Sequence, residues 1–222
     1  MAVKKKGNIS SNVINRLPAY LRQLDKLLEA GETRISSREL GDIMDLTPSQ
    51  IRQDLSCFGE FGQQGYGYHV QSLRHEIAKI LGMDRSYKAI ILGTGKIGRA
   101  MLEHFDFSAN GVTLEAAFDV RPEVVGKTFS GVPVIDAHEM QSYCEKNPVD
   151  IAVVCVSAEG AQRAATHACE AGVRAIWNFT NTMLDLPKEI VQENIFFSDS
   201  LQRLEYYLSD TLDEEAKKRE RL

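Results

Sequence analysis

The chain has 222 residues, 43% of them hydrophobic and 26% charged, which suits a globular protein of one or two domains. No apolar run reaches the ~18–20 residues that a membrane span requires. The net charge of −5 argues against nucleic acid until it is divided: residues 1–85 hold 12 Lys/Arg against 10 Asp/Glu, and the remainder 14 against 21.

The opening stretch carries Lys4, Lys5 and Lys6 but not the apolar core of a secretory signal, so a cytoplasmic protein is expected. Cys57, Cys144, Cys155 and Cys169 form no CxxC pair and have no His at metal-ligand spacing. They read as small buried hydrophobes, and no metal is expected.

In chain order, Ile14, Leu17, Leu21, Leu24 and Leu28 recur at helical spacing and predict a helix over Val13 to Ala30, stopped by Gly31. Pro18 must lie in its first turn or mark a kink. Ser36 with Glu39 is a capping box opening a second helix, with Leu40, Ile43 and Met44 as its apolar stripe and Leu46 at its end. Thr47 and Pro48 supply the N-cap and first position of a third helix. It turns Ile51 and Leu55 inward and Ser49, Gln50, Arg52 and Gln53 outward. Two short helices in tight succession after a longer support make a helix-turn-helix. The glycine- and aromatic-rich run from Gly59 to Val70 predicts a hairpin, hence a wing. A further helix over Gln71 to Leu81 closes the domain, and Gly82 to Ser86 is the linker.

From Lys88 the pattern changes to apolar strands alternating with helical stretches. Strands are expected at Lys88–Leu92, Leu114–Asp119, Ile151–Val156 and Arg174–Phe179, with shorter ones at Val132–Ile135 and Ile195–Phe197. This is a parallel sheet covered on both faces. The last segment, Ser200 to Arg221, is a helix with Leu201, Leu204, Leu208 and Leu212 in a stripe beside Tyr206 and Tyr207. The expected organisation is α/β: a winged helix-turn-helix domain over 1–84, a Rossmann parallel-sheet domain over 85–199 and a C-terminal helix over 200–222.

Gly93-Thr94-Gly95-Lys96-Ile97-Gly98 is a GxGxxG that follows a strand and opens a helix, the context that gives this motif meaning. The glycines permit the turn, the approach of a pyrophosphate and close helix packing. Asp119 ends the second strand at the ~20-residue spacing of an acid that accepts from the adenosine ribose, favouring NAD over NADP. Arg121, two residues on, would tolerate a 2′-phosphate. His104, His138 and His167 fall in predicted helices away from the strand ends, and no acid/base set follows the later strands. The nucleotide therefore reads as a ligand that is sensed, and no catalytic residue is expected. Arg52 and Gln53, with Ser49 and Gln50, are placed to meet base edges or phosphates in a major groove, while Lys4, Lys5, Lys6, Arg16 and Arg22 add backbone neutralisation.

Several segments resemble the Rex family of redox-sensing repressors. They are Arg16-Leu17-Pro18, Tyr20-Leu21-Arg22, Arg34-Ile35-Ser36-Ser37, Ile51-Arg52-Gln53-Asp54-Leu55-Ser56, Phe58-Gly59 and Gly65-Tyr66-Gly67-Tyr68 in the first part, then Phe118-Asp119-Val120, Gly131-Val132-Pro133-Val134, Ala171-Gly172-Val173 and Asn178-Phe179. The similarity runs in unbroken order from about residue 12 to 212. It implies a homodimer whose last helix is exchanged between subunits, palindromic operator DNA as partner, and NADH lowering DNA affinity while NAD⁺ competes without doing so. It adds Ser36, Ser37, Ser56, Tyr66 and Tyr68 to the expected DNA-binding set, and Val156, Ser157, Asn178, Phe179 and Phe197 to the cofactor-binding set. Arg22 matches an Arg coupled to the cofactor, and Phe197 a Phe that swings against the nicotinamide. The chain departs from the family at Gln53, Cys57, Thr180-Asn181, His104 (a Tyr in the family) and Phe196 (an Asp). Three alternatives stand beside the ligand-gated repressor: a small NAD-dependent oxidoreductase, a CoA- or nucleotide-binding interaction module, and a nucleotide-binding DNA-binding protein that does not sense redox state.

Overall fold

The computed structural model describes residues 9–59, 61–63 and 66–219. Lys4, Lys5 and Lys6, the tip of the expected hairpin at Gln64–Gly65 and the end of the last helix at Arg221 lie outside the described residues. The chain divides into two compact units, Met1–Arg85 and Ser86–Leu222.

In the first unit, α1 (Ser11–Glu29) starts where the Ser10 hydroxyl accepts from Val13 N and ends in paired bonds, Gly31 N to Leu28 O and Glu32 N to Leu27 O. Pro18 is inside this helix, beyond its first turn. A two-residue strand, β1 (Arg34–Ile35), was not expected from the sequence; it exists only by pairing. α2 (Ser37–Met44) carries the capping box of Ser36 and Glu39 in full. It stops at Asp45, which takes a left-handed conformation at φ 54°, rather than at Leu46. A Cβ on Gly41 would collide with the Leu46 carbonyl, so the turn can fold back over α2 only because Gly41 is bare. α3 (Pro48–Ser56) begins with Thr47 Oγ1 accepting from Gln50 N at 3.1 Å. Next come β2 (Gly62–Gln63), β3 (Gly67–His69) and α4 (Val70–Ile80). The three strands form an antiparallel sheet in the order β1-β3-β2, the wing. Leu17, Tyr20, Leu24, Leu40, Ile51, Leu55, Leu73 and Ile77 fill one core. Ile43, expected in that core, is exposed: the short α2 buries only the face with Leu40 and Gly41.

The second unit contains β4 (Tyr87–Leu92), α5 (Lys96–His104), β5 (Val112–Asp119), β6 (Thr128–Phe129), β7 (Val132–Asp136), α6 (Met140–Lys146), β8 (Ile151–Val154), α7 (Ala158–Glu170), β9 (Ala175–Asn178), β10 (Val191–Asn194) and α8 (Phe197–Arg219). Its sheet runs β10-β9-β8-β4-β5-β7-β6, parallel throughout except for β6 against β7. Along β4 the side chains alternate: Ile90 and Leu92 pack with α6 and α7, and Ile91 packs on the opposite face with Leu102 of α5. Burial on both faces explains why these strands read as continuous apolar runs.

The expected strand at Ile195–Phe197 is corrected. The strand is the preceding Val191–Asn194, and Phe197 opens α8. At the sheet edge, pairing with Ala175–Asn178 sets the strand, so its own sequence, Val-Gln-Glu-Asn, needs no apolar run.

Candidate functional site

The first unit presents α3 and the wing. Ser49, Arg52, Gln53 and Ser56 are exposed on α3. Arg52 is steadied by Ser37 Oγ at 3.0 Å and Ser49 Oγ at 3.2 Å, which ties α3 to the start of α2. Ser56 Oγ donates to Gln53 O. Arg22 is exposed on α1, and Tyr66 is exposed on the wing. The Arg34 guanidinium lies 5.9 Å from the Tyr66 ring centre and donates to Tyr66 O at 3.1 Å. Arg34, not singled out as a site residue in the sequence, is brought beside Tyr66 by the β1–β3 pairing. Tyr68 corrects its expectation. It is 8% exposed and belongs to the core, because alternation along β3 turns it inward.

Arg16 and Gln50 are engaged inside the unit. Asp54, fully buried on α3, accepts from Arg16 Nε at 2.6 Å and Nη2 at 2.8 Å, from Gln50 Nε2 at 2.7 Å and from the Tyr20 hydroxyl at 3.0 Å. Burial alone would raise the Asp54 carboxyl, but these donors outweigh it and hold it below the usual carboxylate range. Burial, with the bond to Asp54, pushes the Tyr20 hydroxyl far up. Sequence reading overlooked Asp54 because an acid that follows Arg52 and Gln53 on an amphipathic helix reads as surface.

The second unit carries the glycine loop at the strand ends. β4 is flanked by β5 on one side and β8 on the other, so the crevice above β4 and β8 is the topological switch point where α/β sheets bind ligands. Gly93 has φ 90°, and a Cβ there would come within 2.8 Å of Val156 Cγ1. A Cβ on Gly98 would strike the Gly93 carbonyl. Gly95 differs: it caps α5, no side chain caps the helix, and nothing lies within 4 Å of its Cβ position. The first N–H groups of α5 therefore face open space with the positive end of the helix dipole behind them, an arrangement that fits a pyrophosphate. Thr94 is buried, while Lys96 and Ile97 are exposed on the first turn of α5.

A cavity of about 610 Å³ adjoins this loop, lined among others by Gly93, Gly95, Asp119, Arg121, Val156 and Ser157. His138 and His167 line it too, with Arg163. This corrects the expectation that these two histidines stand away from the strand ends: His138 sits just beyond β7, in the 3₁₀ turn Ala137–Glu139, and His167 on α7. The His104 side chain, by contrast, is 79% exposed and near Glu103.

Asp119 is engaged by its own chain. Thr94 N and Oγ1 both donate to Oδ2 at 2.7 Å, Arg121 N and Nε donate to Oδ1 at 3.0 Å, and Arg121 Nη2 donates to Oδ2 at 2.9 Å. Burial opposes ionisation of Asp119, yet this donor set holds the carboxyl far below its ordinary range. Asn178 is likewise spent. It is buried, donates to Thr182 O and Asn194 Oδ1, and accepts from Thr180 N and Oγ1. Phe179 packs against Trp177. Phe197 is 63% exposed at the head of α8. None of these three is among the residues lining the cavity.

Among the described residues no group of His, Cys, Asp and Glu is arranged to hold a metal, and no helix is long and apolar enough to cross a membrane. Burial pushes the Cys155 thiol up to about 12, and Cys144 is buried too, but Cys57 is exposed, which corrects the expectation that all four cysteines are buried.

Comparison with known proteins agrees with this division. Residues 8–56 match a family described as putative DNA-binding protein N-terminus, and residues 84–182 match a CoA binding domain. The redox-sensing transcriptional repressor Rex of Clostridium botulinum is 44% identical over 207 residues, spanning 93% of this chain and 99% of the relative. That of Clostridium beijerinckii is also 44% identical, over 209 residues, 94% of this chain and 99% of the relative. Among solved structures, RSP in complex with beta-NAD⁺ and operator DNA has a TM-score of 0.87 at 41% identity, covering 96% of this chain and 98% of the other. RSP in complex with beta-NADH also reaches 0.87, at 38% identity over 95% and 100% of the two chains. Matched along nearly its whole length, the chain belongs to the Rex family of redox-sensing transcriptional repressors.

Proposed function

We propose that this protein is a cytoplasmic repressor that binds palindromic operator DNA as a homodimer and leaves it when NADH replaces NAD⁺ in the second unit. The observation that carries the reading is the bare N-terminus of α5 at the switch point, on a chain whose relative RSP has been crystallised with both operator DNA and beta-NAD⁺. α3 is the element to enter the major groove, with Ser49, Arg52 and Gln53 toward the bases and Ser37 and Ser56 toward phosphates. Tyr66 and Arg34 form the wing contact, and Arg22 adds charge. Arg16 and Gln50 act behind this surface: bonded to Asp54, they fix the angle of α3 on α1.

In the second unit, the α5 N-terminus over Gly95–Gly98 would hold the pyrophosphate, Val156 and Ser157 would flank it, and the cavity beside Asp119 would take the adenosine. A bound nicotinamide supplies the redox chemistry, namely the charge and planarity that distinguish its two forms. The chain contributes binding and a preference between conformations, since a ligand moves an equilibrium only by its differential affinity for the states. The exposed stripe of Leu201, Leu204, Leu208 and Leu212 on α8 supports the homodimer as the surface a second copy would cover.

Operator titration at varied NADH/NAD⁺ ratio tests the reading. DNA affinity that falls as the ratio rises is expected. Equal affinity under saturating NADH and saturating NAD⁺ would reduce the protein to a nucleotide-binding DNA-binding protein without redox sensing. His104 and Phe196, which stand where the family resemblance implies a Tyr and an Asp, are the residues that bear on that outcome.

A further inference from the structure

We infer that the Arg121 side chain competes with the ribose for Asp119, and so sets how tightly NADH and NAD⁺ bind alike. The inference rests on the reading of the cavity as a dinucleotide site. An acid at this strand end serves a bare ribose by accepting from its hydroxyls, so it must have an oxygen to offer. Asp119 receives five donors from Thr94 and Arg121, against roughly four lone-pair sites on a carboxylate. Both Asp119 and Arg121 line the cavity, yet the Asp119 side chain is 6% exposed and that of Arg121 43%. What the cavity presents to a ligand is mostly the arginine.

The five donors differ in what it takes to move them. Thr94 N and Arg121 N belong to the backbone, and Thr94 Oγ1 to a short, buried side chain, so these three hold the carboxylate in place when a ligand enters. The other two, Arg121 Nε to Oδ1 at 3.0 Å and Nη2 to Oδ2 at 2.9 Å, come from a long, partly exposed side chain that rotation can withdraw. Its one further bond is from Nη2 to Thr94 Oγ1, at 3.1 Å. Ribose hydroxyls therefore exchange with the guanidinium and do not add to it, and each binding event gives up a two-point charge-assisted contact. A site that is open only in the molecules whose arginine has swung away binds with its affinity reduced by that fraction. NADH and NAD⁺ carry the same adenosine half, so the reduction is common to both. Arg121 thus leaves the preference between the two forms untouched and fixes the total dinucleotide concentration at which the protein fills. Acting through Asp119, it is a positioning residue.

Calorimetry on the full chain compares wild type, Arg121→Ala and Arg121→Lys, with NADH, NAD⁺ and ADP-ribose as probes; the last carries all but the nicotinamide. Arg121→Ala also strips Asp119 of its counter-charge, and the bare acid repels a pyrophosphate. At about 0.5 M salt that long-range repulsion is screened while the contact with the ribose remains. There Arg121→Ala is expected to bind all three probes about tenfold tighter, with the NADH/NAD⁺ affinity ratio unchanged within about twofold. Arg121→Lys keeps the charge but loses the two-point fork, and should gain less. A misfolded fraction would lower the stoichiometry and cannot produce a gain in affinity. Affinities unchanged or weaker in both variants would overturn the inference alone, as would a gain confined to one of the two cofactor forms. If none of the three probes binds wild type or variant, the dinucleotide reading falls and takes the inference with it.

Discussion

Arg16 of α1 and Asp54 of α3 form a two-point ion pair, Nε to Oδ2 at 2.6 Å and Nη2 to Oδ1 at 2.8 Å, with the carboxylate fully buried. The pair anchors the helix proposed to read DNA to the support helix behind it. Removing Asp54 leaves Arg16 (29% exposed), Gln50 and the buried Tyr20 hydroxyl without their shared acceptor, a loss on the order of 1–3 kcal/mol. Asp54→Ala is therefore expected to lower hydrogen-exchange protection of α1 and α3 amides by that amount. The double variant Arg16→Met with Asp54→Leu should cost less than Asp54→Ala, because no charge is left unpaired. Unchanged protection in Asp54→Ala would show that the pair is not structural.

The same acids set an acid limit. Asp54 and Asp119 both titrate below their ordinary range when folded. Groups shifted this way contribute stability fully above the unfolded carboxylate value, about 4, and lose it as pH falls through the folded value. Stability should therefore stay level as far as these two groups are concerned down to about pH 5 and decline below it. Asp54→Asn should flatten the acid slope measured at α1 and α3 amides. A slope as steep as in the wild type would assign the transition to other carboxylates.

Three glycines of one loop should behave differently. Gly95→Val adds atoms into open space beside the α5 N-terminus, so the fold should survive while NADH binding is lost. Gly98→Ala places a carbon against the Gly93 carbonyl and should lower the melting temperature with or without ligand, as should Gly93→Ala against Val156. Full NADH affinity in Gly95→Val, read by fluorescence titration, would remove this loop from the binding site.

On DNA, Arg52→Ala should weaken operator binding by about 1–3 kcal/mol if the guanidinium leaves Ser37 and Ser49 for a base edge. Arg34→Ala at the wing should weaken specific and random DNA alike and reduce the salt slope by about 1. An Arg52→Ala protein with wild-type affinity in gel shifts would take that residue off the interface.

Removing residues 197–222 deletes the helix that exposes Leu201, Leu204, Leu208 and Leu212. Sedimentation should then show weaker self-association and gel shifts a lower operator affinity. A truncated chain that still dimerises and responds to NADH would eliminate α8 as a required dimer element.

Where a structural rule is local, the sequence by itself determined the outcome. The capping box of Ser36 and Glu39, the Thr47-Pro48 start of α3, the apolar strands and the GxGxxG between β4 and α5 each depend on residues a few positions apart. So did the two-part organisation and the resemblance to Rex repressors, carried by motifs in order along the chain. Only the tertiary structure decided the rest, because it turned on partners distant in sequence. Arg16 became a strut rather than a surface charge through Asp54, 38 positions away. Asp119 gained its donor Thr94 from 25 positions away, and Tyr68 was turned into the core by its pairing with Ile35. The β10 edge strand was set by hydrogen bonds to β9 and not by its own polar residues. His138 after β7 and Arg163 and His167 on α7 line one cavity with Arg121 only because the sheet brings these elements to the same crevice. Helix and strand periodicities act over a few residues, whereas a carboxylate's free lone pairs and a cavity's charge are sums over the folded neighbourhood.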